Sequence, residues 1–394
     1  MKTVAVDIRP LLERKWGGIS WYTYYIVQGI IQKAARGELR VVLFYNQATS
    51  LHCYIVTLLK KWKVYPYVRI CGYKMPNKIL NLSMRFFSFP NIDELLTIKQ
   101  LSTVIMVLPN LCFIALSSNT PYIAVCHDLS WEIFPEFFTM RQRLWHSLIN
   151  PRRFYERAHR IIAVSENTKK DLIDLYHIEG SRIDVVYPGI NPGAFYPRGE
   201  NEARAAREKY HLPDSFILSV GTLEPRKNYE TLLESFDMLC DSPLLTKEGL
   251  GEVYLLIVGA EGWKYDRIYR FLNRMKRKSQ VKFLFNVTRE DLPAIYSAAR
   301  MFIYPSFYEG FGFPSLEAAA CGTPVIVSHG SSLPEIMGDA ALYIDPFNIA
   351  DLARAMSDLL SDEKLRDTLR KTGIEQAKKF IWKATVQQIA SNLS

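Results

Sequence analysis

What this 394-residue chain lacks narrows its reading first. Its six cysteines, at 53, 71, 112, 126, 240 and 321, form no C-x-x-C pair and no metal-ligand spacing with histidine. A disulfide framework and a zinc site are disfavoured, and a reducing compartment fits. No apolar run reaches the ~20 residues that a spanning helix needs. Residues 100–126 carry no charge, but Pro109-Asn110 and Ser117-Ser118-Asn119-Thr120-Pro121 cut them into two buried strands with loops. The start, MKTVAVDI, reads as a strand and not as a signal peptide, since no charged region leads into a long apolar core. The fingerprint G-x-G-x-x-G follows neither first strand, GFG at 310–312 lacks the third glycine, and Walker A is absent. No Asp-x-Asp pair is present to bridge a metal to a diphosphate. A nicotinamide cofactor and a resident metal are therefore not expected. No repeat or low-complexity tract occurs.

Charge is present but uneven. Residues 1–197 hold 24 basic and 14 acidic side chains, a net +10, and the remainder nets −1. From 39 to 92 there are eight basic residues and no acid, interleaved with Tyr54, Trp62, Tyr65, Tyr67, Tyr73, Phe86, Phe87 and Phe89. Basic residues mixed with aromatics suit an anionic membrane surface, or an acceptor carrying phosphates. The plainer alternative is a solvated face that aids solubility. No nucleic-acid-binding motif accompanies it.

Short apolar runs alternate with helical patterns along the whole chain. Residues 3–8, 39–45, 103–108, 122–126, 160–164 and 183–187 read as strands, with helices at 18–35, 140–158 and 166–176. Continuous apolar strands belong to parallel sheets buried on both faces. The stretch 188–213 is rich in Pro, Gly and charge and reads as a linker leading to a charged helix. A second series follows, with strands at 216–221, 253–259, 281–285, 301–305 and 324–328. Helices fit near 228–240, 265–278, 289–299, 313–321, 348–360 and 363–379. The expectation is an α/β chain of two Rossmann-like, doubly wound domains, 1–190 and 191–378, facing across a cleft. The tail, 379–394, is an amphipathic segment expected to pack back on the first domain.

Four motifs carry chemistry. In GTLEPRKN (221–228), a glycine leaves a strand and Arg226 and Lys227 stand at the mouth of a helix, with Asn228 as its possible cap. That is an anion site, because basic residues at a helix's positive end want a counter-anion. Gly17 and Gly18 open the first helix and would let a ligand approach the backbone. His127 and Asp128 end a buried strand, on the side where sites form in such sheets. Finally, SFYEGFGFPSLEAAACGTPVI (306–326) places Glu309 in a turn with Gly310, Phe311, Gly312 and Phe313, and Glu317 in the helix that follows. The N–H groups of 311–313 can meet hydroxyls or a phosphate. Either carboxylate can hold a vicinal diol, so one acid suits a ribose and the other a sugar. Glu317 sits among Leu316, Ala318, Ala319 and Ala320, where an unpaired acid would be costly, which argues for a ligand.

At these residues the chain resembles the retaining glycosyltransferases of family 4, with GT-B architecture. The resemblance implies transfer of a sugar from a nucleotide-diphospho-sugar with retained configuration. It implies that Arg226 and Lys227 stabilise the leaving diphosphate in place of a metal, and that Glu317 binds the ribose. Glu309 and the 311–313 backbone would hold the transferred sugar, His127 would touch it, and Gly18 would admit the diphosphate. Val287 and Leu292 match positions near the nucleobase, and Asn286 departs from a common family glycine. HDLSWEIFPE with GTLEPRKN is similar to bacterial mannosyltransferases of surface polysaccharide assembly. That favours GDP-mannose as donor and a glycan on a polyprenyl diphosphate as acceptor, at the cytoplasmic membrane face. A UDP-sugar donor is the alternative within the fold; an epimerase, a phosphorylase or a non-catalytic scaffold is a more distant one.

Overall fold

In the computed structural model, which describes residues 2–49, 53–96, 104–241 and 252–393, the apolar runs become strands of two parallel sheets. The first sheet holds β1 (Lys2–Asp7), β2 (Leu39–Asn46), β3 (Val68–Tyr73), β4 (Val104–Leu108), β5 (Tyr122–Cys126), β6 (Arg160–Ala163) and β7 (Ile183–Val185). Their order is β3-β2-β1-β4-β5-β6-β7. The second holds β8 (Phe216–Val220), β9 (Tyr254–Val258), β10 (Val281–Leu284), β11 (Met301–Tyr304), β12 (Val325–Ser328) and β13 (Leu342–Ile344), in the order β10-β9-β8-β11-β12-β13. In each sheet the order reverses beside the first strand, β1 or β8, which is where doubly wound sheets place ligands.

Most helix expectations correspond to a helix at the same place. Ser165 caps Glu166–Tyr176 by accepting the Thr168 N–H at 3.1 Å. The expected helix 140–158 is two helices, Met140–Ile149 and Pro151–Glu156. Asn150 between them is left-handed (φ 58°) and Pro151 cannot continue the first. The basic segment 39–92, which gave no strand beyond β2 by pattern, contains β3 with helices Cys53–Lys63 and Asn77–Phe87. Its aromatics do not share one surface, for Trp62 is core, 1% exposed, while Phe86 and Phe87 are 63% and 79% exposed. Among the described residues no helix is long and apolar enough to cross a membrane.

The chain divides into two units, and it crosses between them more often than a single linker would allow. One comprises Met1–Leu129, Met140–Gly189 and Trp382–Ser394; the other comprises Ser130–Thr139 and Ile190–Ile381. The excursion Ser130–Thr139 lay within the expected first domain, yet its rings pack in the second unit. Phe137 stacks on Phe307 at 5.3 Å and Phe138 on Trp263 at 5.9 Å. Trp263 Nε1 also donates to the Phe137 carbonyl at 2.8 Å. The tail helix Trp382–Ser391 joins the first unit. Trp382 stacks on Tyr25 at 4.6 Å, and Thr385 Oγ1 donates to the Tyr187 carbonyl at 2.8 Å. Gly29 makes this docking possible, since a Cβ there would lie 2.1 Å from Val386 Cγ1.

Candidate functional site

The candidate site in the second unit starts where β8 ends. Gly221 follows β8, and the end of β9 comes so close that a Cβ on Gly259 would lie 1.9 Å from the Gly221 carbonyl oxygen. The chain then enters a tight turn, Pro225–Lys227, before the helix Tyr229–Cys240. Asn228 occupies the cap position, but its side chain caps nothing. Its backbone is left-handed (φ 57°), and Nδ2 instead donates to the carbonyls of Pro305 (3.1 Å) and Pro346 (2.7 Å). This ties the turn to the exit of β11, where Glu309 lies.

Arg226, Lys227 and Glu309 converge. Arg226 Nη1 lies 2.9 Å from one Glu309 oxygen, and Lys227 Nζ lies 2.7 Å from the other. Arg226 Nη2 also pairs with Glu224 at 2.7 Å, and Lys227 donates to Tyr304 Oη at 2.5 Å. Glu224, Lys227 and Glu309 are all buried. Burial disfavours the ionised Glu309, but the charges of Arg226 and Lys227 outweigh it and hold its pKa at about 2. Lys227 is pulled down by burial and by Arg226 beside it. Thus the counter-anion expected for the two cations is supplied inside the protein, by Glu309 and Glu224. Sequence reasoning passed over Glu224, inside GTLEPRKN, and Tyr304, at the end of the strand before Glu309.

The turn after Glu309 is held tightly from within and leaves backbone N–H groups without protein acceptors among the described residues. Gly312 is left-handed (φ 94°) and a Cβ would meet Leu333 at 2.6 Å, so only glycine fits. Ser315 Oγ donates to the Gly312 carbonyl at 2.7 Å and fixes the start of helix Phe313–Ala320. Ser331 Oγ accepts the Glu309 N–H at 2.9 Å, and Ser332 Oγ donates to the Glu309 carbonyl at 2.9 Å. Phe311 packs between Phe313 (5.0 Å) and Phe380 (5.7 Å). The N–H groups of Gly310, Phe311 and Gly312 meet no protein acceptor among the described residues. Buried amides in that condition are uncommon without an outside partner.

Glu317 shares no partner with Glu309. It is 4% exposed and pairs with Arg289 at 2.8 Å, while Tyr296 Oη donates to it at 3.4 Å. Its burial therefore no longer argues for a ligand by itself, because Arg289 supplies the charge. Burial still dominates and raises its pKa, with Arg289 opposing. Arg289 was missed although it stands in NVTREDL beside Val287 and Leu292, which are both half-buried. Asn286 in that loop is left-handed (φ 65°). Asparagine tolerates that conformation best after glycine, so the exchange keeps the turn.

In the first unit, Gly17 and Gly18 begin helix Gly18–Ala35, and a Cβ on Gly17 would meet nothing within 4 Å. His127 and Asp128 lie directly beyond the carboxyl end of β5. His127 Nε2 is 2.8 Å from the Pro109 carbonyl, which can only accept, so the proton is on Nε2 and Nδ1 is an acceptor. Its ring meets Tyr22 edge-on at 4.9 Å, and burial lowers its pKa.

Two family models match: that of glycosyl transferases group 1 over residues 202–376, and that of glycosyltransferase family 4 over residues 16–193. The O-antigen chain mannosyltransferase B of Escherichia coli is 33% identical over 267 residues, covering 68% of each chain. The serotype-specific mannosyltransferase WbdA of Escherichia coli is 30% identical over 273 residues, covering 68% of this chain but 33% of that protein, so the chain spans about a third of WbdA. Among solved structures, HepE from Anabaena in complex with UDP and glucose aligns over 100% of this chain and 99% of its own, with TM-score 0.70 and 18% identity.

Proposed function

This chain belongs to glycosyltransferase family 4, with the two Rossmann-like domains of the GT-B fold, and on that premise we propose that it transfers mannose from GDP-mannose, with retention, onto a lipid-linked glycan in surface polysaccharide synthesis. One observation carries the chemistry: buried Lys227 and partly buried Arg226 converge on Glu309, next to three amides with no protein acceptor among the described residues. Departure of a nucleoside diphosphate places negative charge on its terminal phosphate. Arg226 and Lys227 meet that charge in the role a divalent ion plays elsewhere. Glu309, ionised and engaged at both oxygens, suits stabilising a positive sugar carbon more than attacking it. In this reading, within the second unit, the 311–313 backbone holds the sugar, Glu317 takes the ribose diol, and Val287 with Leu292 flank the base.

Mannose is favoured by the relatives, whose names state mannosyl transfer. A UDP-sugar is the second reading, since HepE was solved with UDP and glucose. Thermal-shift titration with GDP, UDP and ADP, repeated with a chelator, separates the two, because only a ligand of the folded state raises the melting temperature. Stabilisation by GDP alone, followed by mannose transfer giving an axial-linked product by NMR, is the expected result. Stabilisation by UDP alone refutes the donor, and loss of transfer with chelator refutes the metal-free mechanism.

A further inference from the structure

The first unit carries a second candidate anion site that the donor chemistry does not use. Arg85, Arg153 and Arg157 line one cavity of about 110 Å³, walled by Phe113, Ile149 and Phe154. No acid lines it, and none of the three guanidiniums pairs with a carboxylate among the described residues. Arg85 Nε is buried without a partner among those residues. Arg153 and Arg157 are spaced to share one side of the helix Pro151–Glu156 and its cap. The cavity is large enough to admit a phosphate group.

Beside the cavity, on the helix that carries Arg85, apolar side chains face solvent. Helix Asn77–Phe87 buries Leu80 and Met84 but exposes Ile79, Leu82, Phe86 and Phe87. Residues 79, 82 and 86 fall on one helical face, so the helix has two apolar sides and only one is covered. Across the cavity, Leu144 and Trp145 are also exposed, and Trp145 meets the cavity wall at Phe113, edge-on at 6.0 Å. Exposed aromatics around a basic cavity, in a segment without acids from 39 to 92, match the chemistry of a bilayer surface.

We propose that this cavity binds the phosphate or diphosphate head of a membrane lipid while the outer face of helix Asn77–Phe87 seats in the same bilayer. This rests on the lipid-linked acceptor reading and gives it a binding site. Guanidinium forks grip phosphate oxygens through charge-assisted hydrogen bonds, and the exposed apolar side chains beside the cavity enter the bilayer.

The test is vesicle flotation of the full chain without donor. Vesicles carry phosphatidylcholine alone, with polyprenyl diphosphate, or with phosphatidylglycerol matched in charge. The expected result is at least roughly tenfold preference for the diphosphate lipid over the charge-matched one. R153Q/R157Q removes that preference. F86S/F87S loses vesicle binding but keeps inorganic diphosphate binding by calorimetry. Equal binding to both anionic vesicles overturns the proposal, because diffuse charge then suffices. Binding of inorganic diphosphate with no vesicle preference also overturns it, as that marks a free-anion site. If R153Q/R157Q melts early, the single R85Q variant reads the same preference, and an unchanged preference in it refutes the cavity. No sugar transfer enters these readouts, so an error in the donor leaves them standing, while transfer to a soluble glycan with no lipid preference isolates a failure here.

Discussion

Replacing Glu309 by Gln tests the ion cluster at its centre. The side chain keeps its shape and loses the charge that Arg226 and Lys227 share. In the folded protein Glu309 titrates at about 2 against an ordinary 4.5. That difference corresponds to about 3 kcal/mol of stability at neutral pH. The folded pKa is depressed, so the contribution is fully present above about pH 5 and is lost as pH falls toward 2. Near pH 3 less than half of it remains. For a unit of this size about 3 kcal/mol amounts to roughly 6–12 °C in melting temperature. Calorimetric melts of both proteins should therefore show that gap at pH 7 and less than half of it at pH 3. A gap that does not change with pH would refute the assignment of charge. The same variant carries a functional signature. On the proposed function a bound diphosphate shares the two cations with Glu309, so removing it should leave GDP affinity unchanged or tighter, while turnover falls roughly 10²–10³-fold. A parallel fall in GDP affinity would show that Glu309 does not compete.

Other perturbations separate stability from function. Glu317 has a raised folded pKa, so its ionised form costs stability once pH rises above its unfolded value. Glu317→Gln should thus melt at or slightly above wild type at pH 8 while binding nucleotide sugar more weakly by calorimetry; a melt lowered by more than about 5 °C would mean the Arg289 pair outweighs burial. The double variant Arg226→Gln, Lys227→Met should lose at least ~10³-fold in turnover. It should also melt earlier at pH 8 and recover toward pH 5, where the orphaned Glu309 can take up a proton; equal melts at both pH values would contradict this. Gly29→Ala should cost about 1–3 kcal/mol by driving a methyl into Val386, and Val386→Ala should restore most of it; no recovery would place the strain elsewhere.

The strands and helices follow from local pattern, and they were largely readable. The runs FILSV, YLLIV and VIVS are apolar but for Ser219 and Ser328 because both faces of a parallel sheet are covered, and they became β8, β9 and β12. The glycines were readable where a turn demands them, as at Gly312, whose left-handed backbone only glycine fits beside Leu333. The basic stretch 39–92 was not parsed beyond β2, because VRICGY neither alternates nor stays apolar; it is an edge strand, paired on one side only. Nor could pattern show that SWEIFPEFFT packs its rings with the second unit, since partners such as Phe307 and Trp263 are more than a hundred residues away.

The chemistry divides in the same way. Residue types and spacing, Arg226 with Lys227 and Glu309 with Glu317, are properties of the sequence alone, because acid, base and helix position are local. Pairing is not local. That Glu309 pairs with both cations and Glu224 shares Arg226, while Glu317 takes Arg289, depended on where β8 and β11 bring their loops, and a carboxylate's partner sets its charge state. The sequence determined which groups could act; the tertiary structure decided which are already held, and therefore which a substrate must displace.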